Sequence, residues 1–226
     1  MHRLPLLLSF CCVALAAAAA APDYLRTAIE GLHSDAPRGW AYTLTTTREN
    51  ESTVERYDPS RPKGGEWTLL RTNGRAPTAE EIERYLRYKA SNAPVTKRGT
   101  FERGDLDIES AQLLREDAEQ AEFRLNFRHD VKEPVLSHVV LDMRVRKEPA
   151  AAESCVLRLA EPFSPALGMR MQELTVTITF SPPSAETPAL PREVVSHFRG
   201  RLFLLLPLAE DLRVEYSDFA RVTPAR

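Results

Sequence analysis

In HVVLDMRVRK, residues 138–147, the side chains alternate. Val139, Leu141, Met143 and Val145 fall on one phase; His138, Asp142, Arg144 and Arg146 fall on the other. Only an extended chain turns a period of two into two faces, one for a core and one for water. The same period recurs along most of the sequence. MRMQELTVTITF (169–180) sets Leu174, Val176, Ile178 and Phe180 against Thr175, Thr177 and Thr179. SCVLRLA aligns Cys155, Leu157 and Leu159, WAYTLTTTRE aligns Trp40, Tyr42 and Leu44, and EWTLLR aligns Trp67 and Leu69. STVERY, AQLLRE, AEFRLNFRH, VVSHFRGRLFLLL and LRVEYSDFARV complete the series. Turn signals part these runs at Asn50-Glu51, Asp117-Ala118-Glu119, Pro134, Pro149, Ser164-Pro165, Pro182-Pro183 and Pro207. Links this short require antiparallel pairing, because a parallel partner needs a crossover of a dozen or more residues. The chain is therefore expected to be mostly β, of the α+β class, with one antiparallel sheet.

Two segments carry a helical period instead. Pro22–Ser34 brings Tyr24, Leu25, Ala28, Ile29 and Leu32 to one side before Asp35-Ala36-Pro37 breaks it. The second follows the densest stretch of the chain, YDPSRPKGGEWTLLRTNGRAPTAEEIERY, residues 57–85. Pro59 ends one strand, Trp67 anchors the next, and Asn73-Gly74 supplies the positive φ of a tight turn. Thr78 and Glu81 then form a capping box, and Ile82, Tyr85 and Leu86 form an apolar stripe expected to lie on the sheet. The stretch reads as a strand–turn–helix clasp and not as a catalytic centre.

The chain opens MHRLPLLLSFCCVALAAAAAAPDY, with a basic start, a short apolar run and small residues at Ala18 and Ala20. That is the pattern of a signal peptide over residues 1–20, with residues 21–226 as a single mature domain in the periplasm of a Gram-negative type envelope. Later stretches are too short or too polar for a transmembrane segment after signal cleavage. Beyond the leader only Cys155 remains, so an internal disulfide is excluded and the core alone must hold the domain together. The formal net charge of −2, with mixed signs throughout, argues against a nucleic-acid partner.

Residues that could carry chemistry are scattered. His33, His129, His138 and His197 lack metal-ligand spacing, so neither a metal nor a cofactor is implied. G-x-S-x-G is absent, and Ser164 and Ser217 have no local base. Cys155 is in phase with Leu157 and Leu159 and reads as a buried small apolar residue. The carboxylates Glu80, Glu81, Asp117 and Glu119 sit at a helix start and a turn, where they cap. No catalytic residue is singled out, and the chain is expected not to be an enzyme.

The order YDP…WTLL…NGR.PT..E…Y, followed by EPFSPALGMRMQEL (161–174), HFRGRLF (197–203) and YSDFARV (216–222), resembles a family of exported bacterial proteins. Its layout is similar to that of the LolA/LolB-like lipoprotein-sorting proteins. The resemblance implies a strongly curved antiparallel sheet, a half-barrel, with two short helices packed on its concave face. It also implies binding of an apolar ligand, a lipid or a lipoprotein acyl chain. In the leader Phe10 precedes Cys11, where lipid attachment needs a small residue, and this departs from the LolB type. On this reading Trp40, Trp67, Ile82, Leu86, Leu141, Met143, Leu174, Val176 and Ile178 line an apolar cavity, on the argument that two short helices cannot cover so many inward positions. The alternative is a cell-envelope interaction or assembly module with a filled core, a protein partner and no small-molecule ligand.

Overall fold

The computed structural model describes residues 20–34, 36–91, 101–131, 134–203 and 206–225. The expected signal peptide lies outside the described residues except for Ala20. In chain order the elements are α1 (Asp23–Glu30), β1 (Trp40–Arg48), β2 (Glu51–Tyr57), β3 (Trp67–Thr72) and α2 (Ala79–Ser91). β4 (Leu106–Glu116), β5 (Gln120–Phe127), β6 (Val139–Arg146), β7 (Ala151–Leu159) and β8 (Phe163–Ala166) follow. The chain ends with β9 (Met169–Phe180), β10 (Pro191–Leu202) and β11 (Leu206–Arg221). All the strands join one antiparallel sheet in the order β3-β2-β1-β11-β10-β9-β7-β6-β5-β4, with β8 added beside β9. The sheet does not close, and β3 and β4 are its edges. The open half-barrel layout with helices on one face is thus the one expected.

One row of cross-strand neighbours fixes which side is which. Phe123, Met143, Cys155, Ile178, Val194, Val214, Thr46, Thr53 and Thr72 stand beside one another from β5 to β3. α1 covers the first part of this face. Leu25, Ala28, Ile29 and Leu32 meet Leu125, Leu141, Met143, Val145, Cys155 and Leu157 in a single core, with Phe101 edge-on to Phe127 at 5.6 Å. Tyr24 fixes the helix laterally, donating its hydroxyl to Glu116 Oε1 at 2.9 Å. The opposite face is a mosaic of ion pairs. Arg124 and Arg158 share the almost fully buried Asp142, at 2.7 and 3.1 Å, and Arg146 pairs with Glu153. Glu193, Arg213 and Glu215 extend the same pattern across β10 and β11.

The clasp at 57–85 folds as its residues require. Asn73 and Gly74 take φ of 50° and 77°, and the Asn73 side-chain oxygen accepts the Ser52 N–H. Glu81 accepts the Thr78 N–H at 2.7 Å, and Thr78 Oγ1 accepts the Glu81 N–H in return. The Arg75 guanidinium and the Thr78 N–H together hold the Glu81 carboxyl down to about 2. Its contribution is therefore complete above the usual carboxylate range and is lost as pH falls through about 2. Thr78→Ala should weaken α2 by about 1 kcal/mol. Faster amide exchange in α2, with α1 unchanged, is the expected readout.

The stripe expected on α2 is corrected by the structure. Ile82 and Leu86 are exposed, and the helix turns Glu81, Tyr85 and Lys89 inward instead. The cause is Glu55 on β2, whose side chain falls on the helix-bearing face beside Leu44. A carboxylate largely removed from water needs charged and hydrogen-bonding partners. Lys89 Nζ reaches Glu55 Oε2 at 2.7 Å, and the Tyr85 hydroxyl donates to the same oxygen at 3.3 Å. Two turn expectations also shift. Ser164-Pro165 lies within the short strand β8, and Pro207 lies inside β11 opposite Arg201. The turns fall instead at Leu167-Gly168 and at Phe203.

Candidate functional site

α1 packs on β6 and β7, whereas α2 lies along β3. β9, β10, β11 and β1 run between the two helices, and their inward side chains form the candidate site. Leu44, Leu174, Val176, Phe198, Leu212 and Val214 are each only half-buried there. Backbone pairing places them together: Val176 neighbours Ser196, Ser196 neighbours Leu212, and Leu44 lies beside Tyr216. The result is a mainly apolar strip on four strands, the trough, with a helix at each side; Ser196, Thr46 and the Arg48–Glu210 pair are its polar members.

An aromatic bank closes the trough beneath α2. The Tyr42 ring lies 5.2 Å from Tyr57, 5.7 Å from Tyr216 and 5.8 Å from Phe219, centroid to centroid. Trp67 lies 4.9 Å from Tyr57, and Trp40 meets Phe219 edge-on at 6.3 Å. A bulge builds this bank. Between Ala41 and Thr43, β11 carries one more residue than β1, and Asp218 takes φ of 52°. The extra residue lets Tyr216 and Phe219 stack with parallel rings, 6.3 Å apart, although they are three apart in sequence. Arg56 secures the bulge from the other face, donating to the Asp218 carbonyl at 2.8 Å.

Over the bank sits the inward edge of α2. Lys89 Nζ lies 3.8 Å from the Trp67 ring centroid while bonding Glu55. The cation therefore has an aromatic face and a carboxylate at once. Burial first, and Glu55 second, push the Tyr85 hydroxyl far above its usual range, so it stays protonated and donates. The helix is held on this side by the Lys89–Glu55 ion pair, the Tyr85–Glu55 hydrogen bond and the seat of Lys89 on the Trp67 ring.

The expected site residues divide in the structure. Trp40 and Trp67 are in the aromatic bank, and Leu174 and Val176 are on the trough floor. Leu141 and Met143 are 0% exposed and Ile178 is 4% exposed, all within the core around α1. One short helix is enough to cover that stripe, because Leu25, Ala28 and Ile29 interdigitate with it. Ile82 and Leu86 stand on the exposed flank of α2. Tyr42, Tyr57, Tyr216 and Phe219 were not singled out from the sequence. The period of WAYTLTTTRE aligned Tyr42 with Trp40 and Leu44, but the bulge that adds Phe219 has no signal beyond the short SDF segment.

Other chemistry-bearing groups are engaged. His197 Nδ1 lies 2.8 Å from Asp211, which also takes a bidentate bond from Arg199. His138 stacks on Phe163 at 4.0 Å. Among the described residues, no three His, Cys, Asp or Glu side chains converge as metal ligands, and no helix is long and apolar enough to cross a membrane. Two surface hollows, of about 110 and 360 Å³, are lined mainly by charged and polar residues; the larger is lined by Arg48 and Glu210 on β1 and β11, beside Leu212. Cys155 is wholly buried, and that burial pushes its thiol pKa strongly up. Native protein should resist thiol-labelling reagents, with modification following unfolding by denaturant. Rapid labelling of the folded protein would contradict this placement.

No family model matches the chain, and no curated protein matches it. Among solved structures, a crystal structure of a LolA superfamily protein from Nitrosomonas europaea aligns with 92% of this chain and 95% of its own. Identity is 12% and the TM-score is 0.37, a likeness that transfers no function, so the reading that follows rests on the residues of this chain.

Proposed function

We propose that this protein is a non-catalytic binding protein of the periplasm that holds an apolar ligand, a lipid or lipoprotein acyl chain, in the trough between α1 and α2. The observation that carries this reading is the half-buried group Leu44, Phe198, Leu212 and Val214 on the helix-bearing face, outside the core gathered around α1. Apolar side chains left partly in water gain when an apolar chain covers them, at roughly 0.8 kcal/mol per CH₂ removed from water. The same gain is available in a bilayer, so transfer between membrane and trough is close to neutral, as carriage requires. α2 is suited to be a cover. Its inward contacts include a salt bridge and a hydrogen bond to Glu55, which water can replace when the helix lifts, beside the seat of Lys89 on the Trp67 ring.

The direct test is titration of the folded protein with a fluorescent fatty acid. Saturable binding, displaced by phospholipid or lipopeptide, is expected. Absence of saturable binding by protein with a native circular dichroism spectrum would sink the carrier reading. One observation favours the second reading, an envelope interaction or assembly module: the half of the face under α1 is a filled core, with Leu141 and Met143 sealed from solvent. Under that reading the trough would take a protein segment, and fatty acid would not compete.

A further inference from the structure

The β9–β10–β11 ribbon extends well past its neighbours. The last partner of β1 on β11 is Leu212, and the last partner of β7 on β9 is Thr175. Residues 206–211 of β11 and 169–174 of β9 therefore continue without β1 or β7, paired through β10 and edged by β8. Six residues of strand project about 20 Å. At the far end, Leu167 is fully exposed, Phe203 is 65% exposed and Leu206 is 58% exposed.

Phe203 is held in place. The Phe203 N–H donates to the Gly168 carbonyl at 2.6 Å, which ties the two turns together. Gly168 has φ of 79°, and a Cβ there would lie 2.7 Å from the Phe203 ring, so the ring packs directly on the glycine. The fold thus presents Leu167, Phe203 and Leu206 to water at the end of the ribbon, where a loop serving only as a connection would carry polar residues.

Charge behind the tip identifies the partner. Arg170 and Arg201 are directly opposed on β9 and β10, both exposed. Like charges in that position repel. Among the described residues neither forms an ion pair, while of the acids nearer the base of the ribbon Asp211 is paired with Arg199 and His197, Glu210 with Arg48, and Glu173 lies opposite Arg199. Apolar groups at the tip with a basic pair just behind them match a lipid surface with anionic headgroups, the apolar groups entering the acyl boundary and the arginines meeting phosphates. We propose that the Leu167–Phe203–Leu206 tip is a membrane-docking lip for anionic bilayers. It stands at the end of the trough, since Met169, Met171, Leu202 and Leu208 continue the inward face out to it.

The test needs no trough ligand, so it stands or fails apart from the carrier reading. Protein as recovered from its expressing host is used throughout, so residues 1–19 contribute equally to every variant. A Phe203→Trp variant should show blue-shifted fluorescence and quenching by brominated lipid with phosphatidylglycerol-containing vesicles, relative to the parent with its Trp40 and Trp67. The double variant Leu167→Ser, Leu206→Ser should bind these vesicles about tenfold more weakly or worse. Neither side chain supports the core, so its circular dichroism should be unchanged. Arg170→Gln with Arg201→Gln should remove the preference over phosphatidylcholine vesicles. Fluorescence of the Phe203→Trp variant that is neither shifted nor quenched beyond the parent's overturns the proposal. So does wild-type binding by the double serine variant, equal binding of the wild type to neutral and anionic vesicles, or a tip that only mediates self-association in sedimentation.

Discussion

Leu141→Ala should cost about 2–5 kcal/mol of unfolding free energy, whereas Leu86→Ala should cost less than about 1 kcal/mol. Both are leucines at apolar-periodic positions, yet they meet opposite surroundings. Leu141 has no exposed surface and lies in the core gathered around α1, between Leu125 and Leu157 on the neighbouring strands. Truncation there leaves a hole that a close-packed sheet cannot collapse around. Leu86 is 45% exposed on the outer flank of α2. Its removal leaves the Lys89–Glu55 bond and the Lys89–Trp67 contact intact. Guanidinium denaturation followed by circular dichroism measures both. Equal losses would mean that α2 packs through Ile82 and Leu86 after all, and would remove the argument that it is a liftable cover.

Val214→Asp should abolish fatty-acid binding, lowering affinity at least about a hundredfold, because an acyl chain laid along the trough would have to strip water from a carboxylate. Val214 stands at the middle of the floor, between Val194 on β10 and Thr46 on β1. It is half-buried, so the free protein can keep the new carboxylate hydrated and remain folded. Val214→Thr keeps the shape and should lose far less. The same substitution should leave the vesicle docking of the Phe203 tip untouched, since the tip lies beyond the last residue of β11 paired with β1. Undiminished binding by a folded Val214→Asp protein would move the ligand elsewhere.

The sequence by itself determined the strands, their inward phases and several local joints. A period of two cannot be met by a helix, so the stripe Val139-Leu141-Met143-Val145 was legible as one buried face, and Cys155 with it. The Asn73-Gly74 turn and the Thr78–Glu81 box were legible because turns and caps are decided within a few residues. Sheet order and the destination of each inward face were not, because they depend on partners far apart in the chain. α2 shows the reason most directly. Its own pattern offered Ile82 and Leu86 to the sheet, but Glu55, distant in sequence, stands on the receiving face and drew in Lys89 and Tyr85. Desolvating a lone carboxylate costs more than leaving two aliphatic side chains partly wet, so tertiary structure overrode the local stripe. Likewise the count of inward apolar residues suggested a cavity over β6 and β9, where α1 alone fills the space. What was left open lies on β9, β10, β11 and β1, where no single strand's sequence distinguishes a covered face from an uncovered one. The protruding ribbon is tertiary in the same sense. LFLLL after Arg201 reads locally as a strand apolar on both faces, and only the shorter reach of β1 and β7 leaves Phe203 and Leu206 standing in solvent.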